Sequence, residues 1–347
     1  MTAPRLLALA TAVPPHALRQ SEVRRQASAL FLDAEPALER LLPVFDHSGI
    51  ETRYSCVPLD WYRRPAGWKE RNRLYVENAL ALLEEAARRC LGQAGLAAAA
   101  VDALVVVSTT GIATPSLDAH LVNRLGLRPE VQRLPIFGLG CAGGVLGLAR
   151  AAALARAAPA SRVLFLVVEL CMLCFRKDDL SKSNIVATAL FGDGAAGAIL
   201  ACAGDGPRLG PAGEHTWPQS LDIMGWEVEE DGLKALFSRD IPALVRSRLR
   251  AAADAFLARH GLSRDAIGAF VCHPGGAKVL SALEEAFELA PGSLVEARRV
   301  LRDYGNMSAV TVLFVLERML RNGVRRRMLM SALGPGFTAG FMVLDNR

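Results

Sequence analysis

Residues 138–157 read GLGCAGGVLGLARAAALARA, one cysteine among glycines at the head of a long alanine- and leucine-rich segment. That composition predicts a helix, because alanine and leucine lose little side-chain freedom in one. Cys141 would then sit at the first turn, where unpaired N–H groups and the positive end of the helix dipole favour an anion. The expectation is a thiol of lowered pKa, and the thiolate is the nucleophilic form. Gly140 lets the chain turn sharply into the helix, and Gly143 and Gly144 leave space for an approaching carbonyl. Cys56, Cys90, Cys202 and Cys272 lack such a setting and read as packing residues.

Outward from this stretch, helical periodicity covers 20–47 and 74–95, the second with Leu80, Leu83, Ala87 and Leu91 on one side. Short branched runs at 103–108, 133–137, 162–169 and 195–201 read as buried strands between helical segments. The alternation argues an α/β protein. Residues 1–15 read as a first strand ending at Pro14-Pro15 rather than as a secretory leader.

The second half repeats the first. AVDALVVVSTTG (100–111) has a counterpart in RDAIGAFVCHPGG (264–276), and FGLGCAGGVLGLARAAAL in RDYGNMSAVTVLFVLERM. A third pair, RVLFLVVE and RRMLMSALGPG, keeps the order, with extra residues in the first half around 171–190. Thr109 precedes Cys141 by 32 residues, and His273 precedes Asn306 by 33. Two similar halves, 1–204 and 205–347, stacked about a pseudo-twofold axis would bring Cys141, His273 and Asn306 together.

A chain of 347 residues can bury about three quarters of its unfolded surface, enough for a full enzyme core. With 52% hydrophobic and 22% charged residues it has an ordinary globular composition. The net charge of +5 is modest, and the arginine clusters at 63–73 and 318–327 read as solvated faces or as contacts for phosphate or an acidic carrier. No nucleic-acid motif accompanies them. Seven cysteines without regular spacing fit a reducing cytoplasm, and no paired Cys/His spacing suggests a metal. The greasiest run, 162–175, is interrupted by Glu169 and too short to span a bilayer.

A nucleophilic cysteine needs a proton acceptor. His273, in FVCHPGG, alone among six histidines closes an apolar strand and opens onto a glycine loop. Asn306, in YGNMSA, precedes a helix, where the local sequence reads first as an N-cap and second as an oxyanion donor. The spacing match favours the donor.

FGLGCAGG, ELCMLCF, ALFGDGAA, CHPGG, YGNMSA and GPGFTAGFMVL, in this order over residues 100–344, resemble a type III polyketide synthase of the chalcone-synthase-like family. The resemblance implies a thiolase-like αβαβα five-layer α/β fold from two pseudo-duplicated halves, in a homodimer. It also implies decarboxylative condensation of malonyl-coenzyme A onto an acyl-coenzyme A starter, without cofactor or metal. By it, Cys141 is the nucleophile, and His273 and Asn306 stabilise the enolate. Phe191 is the gatekeeper, Thr109, Thr110 and Cys174 line the acyl cavity, and Thr114 reaches across the dimer. Ser308 stands beside the asparagine, and Arg53 is similar to a residue that meets coenzyme A phosphates.

Two departures bear on substrate. Ala235 stands where a second phenylalanine is frequent, and the C-terminal loop reads ALGPG. With the apolar Leu170, Met172, Leu173 and Cys174, a widened cavity would suit a long fatty acyl starter and an alkylpyrone or alkylresorcinol product. Short, aromatic or malonyl starters are the alternative, and delivery by an acyl carrier protein or fatty acid synthase is compatible with the basic patches. An initiating β-ketoacyl-acyl carrier protein synthase resembles the chain less, since such enzymes usually show HQAN where this one has HPGG.

Overall fold

The structure, a computed structural model, describes residues 3–347. Its strands in the first half are β1 (Arg5–Ala12), β2 (His16–Arg19), β3 (Thr52–Ser55), β4 (Ala103–Val107), β5 (Gln132–Ile136), β6 (Arg162–Leu170) and β7 (Asp193–Ala201). Those in the second are β8 (Arg208–Thr216), β9 (Met224–Glu229), β10 (Gly232–Phe237), β11 (Ala269–Cys272), β12 (Arg327–Gly334) and β13 (Thr338–Asp345). Nine of them form one sheet in the order β11-β12-β13-β8-β1-β7-β6-β4-β5. The halves of that sheet join through one residue pair, Arg5 with Arg208.

The two half-sheets have the same wiring. In the first, β4 runs parallel to β6, β6 antiparallel to β7 and β7 antiparallel to β1. In the second, β11 runs parallel to β12, β12 antiparallel to β13 and β13 antiparallel to β8. Within this sheet, among the described residues, only β5 lacks a counterpart strand, so the duplication seen in the sequence is a duplication of topology.

Helices Gly143–Ala157 and Thr311–Arg321 form a central layer that packs on strands of both half-sheets. Helix Trp68–Ala94 covers the outer face of β1, β6 and β7, and Arg250–Arg259 lies on β13. This is the expected five-layer order. Burial on both faces explains the unbroken apolar runs. In β6, Val163, Phe165 and Val167 face the central core, and Leu164, Leu166 and Val168 the outer one. At the middle of the central layer the two halves touch: a Cβ on Gly144 would lie 2.2 Å from the Ala309 carbonyl oxygen.

One expectation shifts and another acquires a structure. The periodic stretch 20–47 is broken into helix Gln20–Ala34, a 3-10 segment Pro36–Leu41 and a short turn Pro43–Asp46. Pro36 and Pro43 each lack the N–H a continuing helix needs. The extra residues around 171–190 form a 3-10 turn, Cys171–Cys174, and helix Lys182–Leu190.

Candidate active site

Cys141 lies in a single 3-10 turn, Gly140–Ala142, that leads directly into the helix Gly143–Ala157. Gly140 has φ +46°, and a Cβ there would lie 2.5 Å from Pro335, so the ALGPG loop packs on the cysteine turn. The Gly140 N–H donates to Thr109 Oγ1 at 3.0 Å. Strand β4 thereby fixes the turn.

His273 follows β11, its N–H donating to the Ser331 carbonyl at 2.9 Å. The ring is buried, and neither ring nitrogen has a partner among the described residues. Asn306 follows Gly305, whose φ is +69°. Its Nδ2 donates to the Gly275 carbonyl at 3.2 Å and its Oδ1 accepts from the Ser308 N–H at 2.8 Å. One Nδ2 hydrogen is left to point elsewhere. Asn306 is thus held by its turn and is not a plain helix cap; helix Thr311–Arg321 begins five residues later.

Cys141, His273 and Asn306 line one cavity of about 420 Å³. Its electrostatics correct the expectation of a lowered thiol pKa. Burial pushes the Cys141 thiol up to about 12, outweighing the facing Ser308 hydroxyl, which lowers it. Burial also lowers the His273 imidazole to about 4. At neutral pH both rest uncharged, because desolvation beats the turn's N–H groups and dipole. Ser308 itself is buried at φ +47°, a left-handed conformation uncommon for a side chain and frequent at functional sites.

The other expected residues divide. Thr109 and Thr110 are buried and line no cavity described here; they carry the framework. The Thr109 N–H donates to Glu169 Oε2 at 3.0 Å, and Thr110 Oγ1 accepts from the Leu170 N–H at 2.9 Å. Glu169 is the anchor that sequence reasoning left unassigned. Burial raises its carboxyl to about 8 against the amides and hydroxyls of Thr109 and Thr110, which favour the charged form. An acidic residue inside an apolar strand was the available signal, since a buried carboxylate needs donors.

Phe191 and Cys174 face a second, small apolar pocket of about 40 Å³, together with Met172, Phe175 and Ala235. Phe191 packs against Trp226 and Phe237, ring centroids 5.8 and 5.6 Å away. Phe237 also lines the larger cavity, so this aromatic group forms the partition between the two spaces. Thr114 is exposed on a loop and lines neither.

Arg53 requires a correction. Its side chain is fully buried, hydrogen-bonded to backbone carbonyls, and cannot meet a phosphate in solvent. The exposed basic residues of the larger cavity are instead Arg40, His47, Lys182, Arg239 and Lys278. They come from four separate segments, so no local run of charge betrayed them. The arginine clusters singled out in the sequence are largely engaged elsewhere: Arg64 pairs with Glu70, Arg73 with Glu77 and Arg318 with Glu296 and Asp303. Among the described residues no group of three His, Cys, Asp or Glu could hold a metal ion, and no helix is long and apolar enough to cross a membrane.

A five-layer duplicated fold with a cysteine, a histidine and an asparagine on one cavity is the architecture of an acyl-transferring condensing enzyme. Comparison with known proteins makes this specific. The family profile "Chalcone and stilbene synthases, N-terminal domain" matches residues 2–205, and its C-terminal companion matches residues 209–346. A 1,3,6,8-tetrahydroxynaphthalene synthase of Streptomyces peucetius subsp. caesius is 40% identical over 97% of this chain and 92% of its own. A putative chalcone synthase of Bacillus subtilis is 37% identical over 98% of both. The crystal structure of 1,3,6,8-tetrahydroxynaphthalene synthase from Streptomyces coelicolor, a bacterial type III polyketide synthase, superposes with a TM-score of 0.94 at 29% identity over 99% of both chains.

The chain belongs to the chalcone and stilbene synthase family of type III polyketide synthases. It is an acyltransferase that condenses malonyl-coenzyme A.

Proposed function

We propose that the starter is a long fatty acyl group, carried on Cys141 and extended to an alkylpyrone or alkylresorcinol. The observation that supports this reading is the apolar lining on both sides of the aromatic partition: Val186, Leu190, Met224 and Ile241 in the cavity of Cys141, and Met172, Cys174, Phe175 and Ala235 in the small pocket behind Phe191, which a long tail reaches only if the Phe191 ring swings aside. Ala235 is buried there where a larger side chain would fill the space. An alkyl tail entering it gains roughly 0.8 kcal/mol for each buried methylene.

The chemistry follows from the resting state. Neutral His273 accepts the Cys141 proton as the acyl thioester arrives, the thiolate attacks the carbonyl, and coenzyme A leaves with a proton. Malonyl-coenzyme A then loses carbon dioxide. Its enolate oxygen accepts hydrogen bonds from the free Nδ2 hydrogen of Asn306 and from an N–H of His273, each donor being fixed before the charge develops. The enolate carbon attacks the acyl thioester, and the Cys141 thiolate is released. Arg40, Lys182 and Lys278, which have no carboxylate partner among the described residues, suit the phosphates of coenzyme A.

The reading includes a homodimer. Strand β5 is a sheet edge, and beside it Phe137 is 59% and Ile112 48% exposed, with Thr114 on the same surface loop as Ile112. An edge strand flanked by exposed apolar side chains favours pairing with a second copy.

A malonyl-derived starter is the second reading. Trp226 against Phe191 narrows the partition, and the likeness to a tetrahydroxynaphthalene synthase points the same way. Mass spectrometry of products formed from malonyl-coenzyme A and starters from acetyl to stearoyl separates the two. Long-chain pyrones or resorcinols are expected; product from malonyl-coenzyme A alone, unchanged by any starter, sinks the long-chain reading.

A further inference from the structure

Helix Lys182–Leu190 ends at Phe191, and the last carbonyls of any helix lack partners within it. Here a side chain from β3 supplies them. Arg53 Nη1 donates to the carbonyls of Thr188 at 2.6 Å and Phe191 at 2.8 Å, and Nη2 donates to that of Ala189 at 2.7 Å and to the Gln20 amide oxygen. Gln20 Nε2 in turn donates to the Ala189 carbonyl and to Ser48 Oγ, each at 3.0 Å.

The same residue also packs, through its Cβ, under the segment that carries Asn306. Phe191 and Asn306 form an isolated parallel bridge: the Gly192 N–H donates to the Asn306 carbonyl at 3.0 Å, and the Asn306 N–H donates to the Leu190 carbonyl at 2.8 Å. The Arg53 Cβ lies 3.4 Å from where Gly192 would carry a Cβ and 3.5 Å from that place on Gly305. It therefore packs beneath both segments.

Arg53 is 0% exposed, yet no carboxylate hydrogen-bonds it. Burying a charge without an ion partner is costly, and here only hydrogen bonds to three carbonyls and one amide oxygen offset that cost. Burial lowers the guanidinium to about 9, with Tyr62 and Asp193 opposing, so it stays charged at neutral pH.

We propose that Arg53 is a positioning residue that locks Phe191 and Asn306 into one frame, so that the wall met by the starter and the donor met by the enolate are set together. This rests on the roles given above to those two residues. A displacement of about 1 Å at a reacting group costs on the order of 100-fold in rate, so a looser frame should be visible in turnover.

The test compares Arg53→Met, Arg53→Lys and Phe191→Leu, alone and combined, with wild type. It reads the kcat and KM of malonyl-coenzyme A decarboxylation and the product distribution across the starter panel. Arg53→Met is expected to lower kcat at least about tenfold with KM changed less than about twofold, the pattern of lost transition-state rather than ground-state contact. It should also shift the starter preference in the direction that Phe191→Leu does, and the double variant should shift it little further. Arg53→Lys should recover part of both. A folded Arg53→Met with wild-type kcat and preference overturns the proposal, as do additive effects with Phe191→Leu. If Arg53→Met does not fold, Arg53→Lys and Gln20→Leu decide it: wild-type kcat and preference in both overturn it. Should wild type use no long starter, the starter reading falls while the decarboxylation arm still judges Arg53.

Discussion

The loop 140–144 and the loop 305–309 occupy equivalent places in the two half-sheets. Each runs from a glycine with positive φ, through a functional residue, into a tight turn and a central helix. Their strand-end partners differ. Thr109, after β4, commits its hydroxyl to the Gly140 N–H, whereas His273, after β11, keeps both ring nitrogens unpartnered. A buried polar group without a partner is rare in a folded protein and calls for a reason. The duplicated scaffold supplies position twice; the chemistry differs because the strand-end side chain of one half, Thr109, is spent on the turn, and that of the other, His273, is left for a substrate.

The comparison can be broken in order of expected effect. Asn306→Ala removes a donor from the open half and should lower the kcat of condensation by about 10² to 10³, as loss of one oxyanion donor does. A drop below tenfold in steady-state assays would reduce Asn306 to a loop anchor. Next, the resting charge state predicts the alkylation of Cys141 by iodoacetamide, followed peptide by peptide. A thiol pushed up to about 12 is almost wholly protonated at neutral pH. Its thiolate fraction, and hence its rate, should rise about tenfold per pH unit between about pH 7 and 9. A flat profile there would show a thiolate–imidazolium pair already formed. Smallest is the contact between the two loops: Gly144→Ala sets a Cβ against the Ala309 carbonyl and 2.7 Å from Val312 Cγ1. Overpacking of this kind costs about 1–3 kcal/mol, measurable by denaturant unfolding. An unchanged midpoint would mean that the central helices can part.

Much of this frame was legible beforehand. The alternation of strands and helices, the paired motifs and the near-equal spacings before Cys141 and Asn306 report local patterns that a duplicated topology imposes on the sequence itself. What escaped depends on desolvation and on contacts between distant segments. Cys141 looked set for a lowered pKa because the helix start is visible in sequence and the low-dielectric surroundings are not. Arg53 was expected to meet phosphate only by its resemblance to a basic residue of the family, yet folding carries it beneath the end of helix Lys182–Leu190. Glu169 was noticed only as an interruption in a greasy run, and its donors, Thr109 and Thr110, lie about 60 residues upstream. The basic residues of the cavity, Arg40, His47, Lys182, Arg239 and Lys278, converge only once the chain is folded.

The most direct test of the central claim is to incubate the enzyme with a long-chain acyl-coenzyme A in the absence of malonyl-coenzyme A and map the acyl mass by proteolysis and mass spectrometry. The account predicts one adduct, on the peptide containing Cys141, abolished in Cys141→Ala. An adduct on another of the seven cysteines, or product formation that survives Cys141→Ala, would contradict it.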